Sequence, residues 1–517
     1  MGRIKVGAPG GTRTPGLQVR NLSLYPLSYE RALTVKYTTS TGAIPPFRDV
    51  AGSVGCTFSG LVPYWSNQSR FEAGAGWRRA VDSRQMLKEL GRYVLADPYP
   101  FVLDLERSSG MWLATQDGRR LFDWAGYYGA KLIGHNHPAL YAPDYLHRLA
   151  VAANNKIANP DFLTPECLDY YRLIHSLAPR CMRNERLEVY VVNSGAEAVE
   201  NMLKYMINLH VQQHGGNARR FIYFDQAFHG RTVFALNVTD LRHSPVITRD
   251  FRGLADGNTQ IAFPAVNADA PDAENDRRTD AALEAVEAAL RSDPGGIAGI
   301  VVEPLQGAGG HRMAQPRFFR ELSRLAHAHG VGLGFDEVQT AGGQTGTVFA
   351  IDQLDLPYPP SVVATAKKMA CGVVYMLYPM DDHGVLDSTW GGSLSDMVRF
   401  VQEWSIVQEE RLVEQVPVKA KALVRVLQVA AASVPGMVTD IRGMGLYQGF
   451  TMPTAPATQA LVDDALETEE TLLLRAGPTS IRLRPNLGVN QEDIDLLGMK
   501  LMACLRRVAA AKQGMEA

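Results

Sequence analysis

Two short apolar runs in the second half of the chain each end in one chemically useful side chain. Gly334-Phe335 leads to an acid, Asp336, followed by Glu337-Val338-Gln339-Thr340. Ser361-Val362-Val363-Ala364-Thr365-Ala366 leads to a lysine pair, Lys367-Lys368, followed by Met369-Ala370-Cys371-Gly372. In an open α/β sheet, ligands sit at the carboxyl ends of the strands. An acid and a lysine brought together there suit pyridoxal phosphate. The lysine would form the Schiff base, and the acid would keep the pyridine nitrogen protonated so that the ring acts as an electron sink. Taken alone, the same pattern also describes an ordinary strand end with a solvated acid and two surface lysines.

Three further stretches bear on that choice. Leu187 to Val192 reads as a buried strand that runs into Asn193-Ser194-Gly195-Ala196, and a helix follows with Val199, Met202, Leu203 and Met206 at helical spacing. Strand, small-residue turn and helix present free N–H groups to an anion, and small residues let the backbone approach a phosphate. Arg220 to Phe224 is the next strand, and beyond it lies Ala227-Phe228-His229-Gly230-Arg231. Phe228 could stack on an aromatic ring, and Arg231 could hold a carboxylate by two parallel hydrogen bonds. Ile297 to Val302 is a strand ending at Glu303-Pro304, and Leu305 to Gly310 is a loop.

The elements that position these residues alternate strand and helix from about 187 to 367, which predicts a parallel, doubly wound sheet. Pro316 to His329 reads as an amphipathic helix closed by Gly330. Asp117-Gly118 marks a hairpin between Met111–Thr115 and Leu121–Asp123. Near the other end, strands at Met444–Thr451 and Ser480–Leu483 and a helix after Asn490 build a smaller α+β unit, and Pro417 breaks a long helical stretch from Leu394. The expected division is an extension at 1–85, an N-terminal part of the small domain at 86–145, a large domain at 146–415 and the C-terminal part of the small domain at 416–517.

Composition narrows the field. The chain has 517 residues, 46% hydrophobic and 21% charged, with net charge −2. That balance gives no reason to expect nucleic acid or an anionic membrane as partner. The five cysteines show no zinc or disulfide pattern, so a cytoplasmic setting is expected. No GxGxxG fingerprint follows an early strand, which disfavours a nucleotide-dependent dehydrogenase. Residues 1–85 hold no sustained period. The stretch from Gly10 to Tyr29 resembles a translated transfer-RNA gene, so the expectation is an over-extended start with the folded chain beginning near Met86; a disordered or targeting extension is the alternative.

Taken together, Ser194-Gly195-Ala196, Phe228-His229-Gly230-Arg231, Asp336-Glu337-Val338-Gln339 and Lys367 resemble the class III, or ω-, aminotransferases of fold type I. The resemblance spans about Pro98 to Leu505. Asn155-Lys156, Lys367-Lys368-x-x-Cys371-Gly372 and Ser388-Thr389-Trp390-Gly391-Gly392 are most similar to the lysine 6-aminotransferase branch. The resemblance implies transfer of the terminal amino group of L-lysine to 2-oxoglutarate. Ornithine, acetylornithine, diaminobutyrate and 4-aminobutyrate are the alternative donors.

Residue roles follow from the resemblance. Lys367 matches the Schiff-base lysine, with Lys368 as the fallback. Asp336 pairs with the ring nitrogen, Gln339 reaches the ring hydroxyl, and Val338 and Phe228 pack on the two ring faces. Ser194, Gly195 and Ala196 hold the phosphate, completed by Thr389 from the neighbouring subunit of a homodimer. Arg231 takes the carboxylate of the lysine donor and Arg482 that of glutamate or 2-oxoglutarate. The family has a glutamate that masks this second arginine, and here Gly307-Ala308-Gly309-Gly310 lacks it.

Overall fold

The computed structural model describes residues 82–251, 257–381 and 384–516. Its centre is a seven-stranded sheet built from β1 (Glu188–Val192), β2 (Arg220–Phe224), β3 (Thr259–Ile261), β4 (Ile297–Val302), β5 (Gly332–Asp336), β6 (Val362–Thr365) and β7 (Gly372–Met376). The strand order is β1-β7-β6-β5-β4-β2-β3. Every residue of β4, β5, β6 and β7 is buried. A sheet covered on both faces has no polar side, and its strands therefore read as continuous apolar runs.

All the strands run the same way except β7, which is antiparallel to both β6 and β1. The reason is the length of the connection. Only Ala366 to Cys371 separate β6 from β7, and a parallel return needs a dozen residues or more. Both lysines of the pair lie in this tight reversal.

Helix Gly195–His214 covers one face, with Val199, Met202, Leu203 and Met206 packed on Val301, Val362 and Val374. The fit depends on Gly334, where a Cβ would come 2.9 Å from Met202 Sδ. Helix Pro316–Ala328 belongs to the other face, where Phe318 and Phe319 meet Phe224 and Phe335 edge-on or tilted.

The two ends of the chain are joined by strand pairing. Leu103–Ser109, Trp112–Thr115 and Arg120–Asp123 form an antiparallel ribbon, and Thr471–Leu472 adds to it in parallel. A second sheet holds Thr439–Met444, Tyr447–Thr451, Ser480–Leu483 and Leu474–Ala476. The two are tied where Arg484 N–H donates to Trp124 O at 2.8 Å, while Trp124 N–H donates to Leu472 O at 3.2 Å within the ribbon's own sheet. The helical stretch after Leu394 divides into Leu394–Glu409 and Val416–Ser433, with Pro417 in the first turn of the second, where no intrahelical N–H is needed. Asn490 caps the last helix, its side chain accepting from Asp493 N–H at 2.8 Å. A helix at Ser83–Leu90 crosses the boundary expected at 85, and the rest of the expected extension, residues 1–81, lies outside the described residues. Among the described residues no helix is long and apolar enough to cross a membrane.

Candidate active site

The carboxyl ends of β1, β2, β4, β5 and β6 meet at one cleft. Gly195, Ala196, Phe228, His229, Glu303, Ala308, Asp336, Val338, Gln339 and Lys367 line it. Asp336 is the last residue of β5. Its Oδ1 accepts the Val338 N–H at 2.9 Å, and its Oδ2 accepts from His229 Nδ1 at 2.8 Å. Among the described residues, His229 Nε2 has no hydrogen-bond partner. Burial alone would push this imidazole down, but the hydrogen bond and charge of Asp336 outweigh burial and raise it above its ordinary value.

Neighbouring residues on a strand point to opposite faces, and Glu337 accordingly turns away from the cleft. Its carboxylate accepts from the Ala350 and Ile351 N–H groups at 2.9 and 2.8 Å and from the Thr340 hydroxyl at 2.6 Å. It ties down the loop after β5. Glu303, one residue past β4, lies in the cleft and accepts the Phe228 N–H at 3.0 Å. Burial pushes its carboxyl up to about 7.

The hairpin between β6 and β7 separates the two lysines. Lys367 sits at φ 40°, in the left-handed region, and lines the cleft, with Nζ donating to Tyr128 O at 3.1 Å. Burial first, and then the positive charges of Arg482 and Arg484, bring its amine down to about 7. Lys368 turns the other way. Its Nζ is held by Gln339 O and Tyr447 Oη, each at 2.6 Å, and by Gly129 O at 3.2 Å.

The opposite wall is the start of helix Gly195–His214. Ser194 caps it by accepting the Glu197 N–H at 3.2 Å, and Glu197 reaches back to the Asn193 N–H at 3.0 Å. The first-turn N–H groups of Gly195 and Ala196 have no intrahelical acceptor. A Cβ on Gly195 would lie 2.7 Å from Val338 Cγ1, so only glycine leaves this wall open. The helix end offers N–H groups and positive dipole to a phosphate. Asp336 is an acid for a ring nitrogen, and Lys367 an amine of low proton affinity for an aldehyde. Phe228 and Val338 are apolar surfaces for a ring. This donor set fits pyridoxal phosphate.

Arg482 is nine-tenths buried, and among the described residues its Nε has no hydrogen-bond partner. Burial brings its guanidinium down to about 10. Four expected residues are not among those lining the cleft: Ser194, which is half-buried, Arg482, which is buried, and Arg231 and Thr389, which are both exposed in the single chain. Three residues were not singled out from the sequence. Glu303 and His229 stand inside or beside quoted motifs, and their burial is what makes them notable. Arg484 alternates with Arg482 and Ser480, a period of two that could have marked one strand face.

The chain matches the sequence profile described as Aminotransferase class-III over residues 94–505. It is 35% identical over 428 residues to an L-lysine-epsilon aminotransferase of Mycobacterium bovis, covering 78% of this chain and 92% of that protein. It is 31% identical over 452 residues to the L-lysine-epsilon aminotransferase of Streptomyces clavuligerus, covering 83% and 95%. An acetylornithine aminotransferase of Thermosynechococcus vestitus is more distant, at 29% over 422 residues, covering 79% and 94%. The solved lysine aminotransferase of M. tuberculosis, in its internal aldimine form, superposes with a TM-score of 0.77 at 32% identity, covering 83% of this chain and all of that one.

Proposed function

This chain belongs to the class III aminotransferases, and from that premise we propose that it moves the ε-amino group of L-lysine to 2-oxoglutarate, giving 2-aminoadipate 6-semialdehyde and L-glutamate. Its relatives named for lysine support the donor. The observation that carries the reaction type is that Lys367, Asp336 and the open first turn at Gly195 line one cleft.

Class III aminotransferases depend on pyridoxal 5′-phosphate, which when bound supplies an electron sink for the pair left on the substrate carbon. With the cofactor bound, Lys367 would be the base that takes the proton from the substrate carbon bearing the amino group and the acid that gives it back. An amine with a proton affinity near neutrality can do both at the pH of a cell. Asp336 holds the proton on the ring nitrogen, and His229 steadies that carboxylate. Gln339 donates to the ring hydroxyl oxygen. Ser194, Gly195 and Ala196 bind the phosphate, and Phe228 and Val338 hold the ring between them. Arg231 takes the α-carboxylate of lysine and Arg482 that of 2-oxoglutarate, and each fork sets which carbon faces Lys367.

Thr389, exposed in the single chain, completes the phosphate site of a second copy, which makes the active enzyme a homodimer. We assign residues 86–145 and 416–517 to one small domain around a large domain at 146–415. Free thiols at Cys167, Cys181, Cys371 and Cys504 fit a reducing cytoplasm.

A second reading rests on Ala308 and Arg482. With Ala308 in the cleft lining where the family has a masking glutamate, and Arg482 Nε without a hydrogen-bond partner among the described residues, the fit to lysine's uncharged methylene chain is weakened. Ornithine, acetylornithine, diaminobutyrate or 4-aminobutyrate would then replace lysine. The test adds single amino donors to the loaded enzyme without acceptor and follows the cofactor's visible band, with Lys367→Ala as control. Loss of the band with both L-lysine and L-glutamate supports the lysine reading. Loss with glutamate alone retains the class and removes lysine as donor.

A further inference from the structure

Arg484 is fully buried, yet among the described residues none of the hydrogen bonds drawn by its guanidinium ends on a carboxylate. Nη1 donates to Leu483 O at 2.9 Å and Nη2 to His311 Nδ1 at 2.9 Å. Nη2 and Nε both donate to Gln339 Oε1, at 3.0 and 3.3 Å. Cζ lies 4.2 Å from the centre of the Tyr447 ring. A buried guanidinium without a counter-ion is costly, and an apolar side chain of similar volume would fill the same space at lower cost. The arrangement therefore calls for a use.

His311 cannot share the charge. Burial and the positive Arg484 and Arg442 hold its imidazole well below the ordinary range. Its Nε2–H donates to Arg442 O at 3.2 Å, which leaves the Nδ1 lone pair for Arg484. Arg484 is thus fixed in one orientation, with two of its donors ending on one atom of Gln339. An amide held by its oxygen cannot turn over. The group that Gln339 can offer to the cleft it lines is then its Nε2–H₂ donor.

We propose that Arg484 is a positioning residue that locks the Gln339 amide with its N–H₂ toward the ring oxygen of the bound cofactor and so stabilises negative charge on that oxygen. This rests on the role given to Gln339 above. Without Arg484 the amide is free to present its own oxygen, and two acceptors would then face each other. Lys368, His229 and Arg482 are the groups around the site that can carry positive charge, and Asp336 and Glu303 those that can carry negative charge. All five stay in place in Arg484 and Gln339 variants, so a change in the cofactor's titration reports on the Arg484–Gln339 pair.

The test is the pH at which the visible absorbance of the loaded enzyme changes, measured in Gln339→Met, Arg484→Met, Arg484→Lys and the Gln339→Met/Arg484→Met double variant. Loss of one charge-assisted hydrogen bond to the ring oxygen raises that pH by about one unit. Gln339→Met and Arg484→Met should each do so, and in the Gln339→Met background Arg484→Met should add less than half its own shift. Arg484→Lys keeps the cation but not the double grip, and should shift the transition in the same direction by less. An equal shift from Arg484→Met in both backgrounds means that only bare charge is at work, and the proposal falls. No shift from Arg484→Met while Gln339→Met shifts also overturns it, and leaves the Gln339 role standing. No shift from Gln339→Met removes that role and this inference together. If Arg484→Met does not take up the cofactor, an unshifted Arg484→Lys overturns the proposal.

Discussion

Nδ1 of His229 lies 2.8 Å from Oδ2 of Asp336, and both side chains are closed off from solvent. The pair joins the carboxyl ends of two different strands, so the acid at the centre of the cleft is held by a side chain from the loop after β2.

That contact makes stability depend on pH. The raised His229 value means that the folded chain holds the ring proton more tightly than the unfolded chain. The contribution is full below the unfolded value of about 6.5 and fades as pH rises through the folded value. Urea unfolding of the cofactor-free chain should therefore show wild type more stable than His229→Leu by about 3–5 kcal/mol at pH 6. The gap should narrow by pH 9, and an unchanged gap at the two pH values would count against the pairing.

Lys367 and Lys368 should separate cleanly. Borohydride reduction of the loaded enzyme should leave the cofactor on Lys367 and not on its neighbour Lys368, as read from fragment ions that part the two. Lys367→Ala should lower turnover by about 10²–10⁴-fold or more. Lys368→Ala should keep the attachment and instead cost about 1–3 kcal/mol of stability, because buried acceptors lose their donor. An amine with a value near 7 must be neutral to attack an aldehyde. Cofactor uptake by the free chain should accordingly rise with a midpoint near pH 7 rather than near 10.

Glu303 should show linkage of the same sign as His229, but at lower pH and with the opposite effect of removing the group. Its folded value, about 7, lies above the ordinary 4.5, so the folded chain loses stability as pH climbs between those values. Glu303→Gln keeps an oxygen for the Phe228 N–H and removes the buried charge. At pH 8 the variant should be the more stable by up to about 3 kcal/mol, with the difference gone below pH 4.5. Denaturant midpoints at pH 4, 6 and 8 decide it.

Gly195→Ala should bring its Cβ against Val338. Overpacking of that kind costs about 1–3 kcal/mol. Because the collision lies on the cleft wall, cofactor affinity should fall with it, and Val338→Ala in the same chain should restore both. Fluorescence titration with the cofactor distinguishes this from a general loss of folding.

Much of the site was legible because apolar runs that end in one polar residue mark the ends of buried strands. Asp336, Lys367, Gly195 and Phe228 all stand at such ends, and the structure brings them to one cleft. The choice between the two lysines was not legible. It depends on a reversal between β6 and β7 that no local pattern reports, and only the resemblance favoured Lys367 over Lys368. Glu303 and His229 look ordinary in the sequence because their properties come from burial, which no local pattern reports. Arg231 and Thr389 are exposed in a single chain, so their roles rest on what a substrate or a second copy brings to them.

The bond from Arg484 N–H to Trp124 O spans about 360 residues of chain. On the ribosome, at about 5–20 residues per second, the N-terminal ribbon emerges roughly 20–70 s before the strand that completes it. Through that interval the lysines, the acid and the phosphate wall can be present while Arg482 and Arg484 are not yet made. A nascent chain can therefore hold most of the groups that attract the cofactor before it has the groups that govern its chemistry, and a chain cut short near residue 470 stays in that condition.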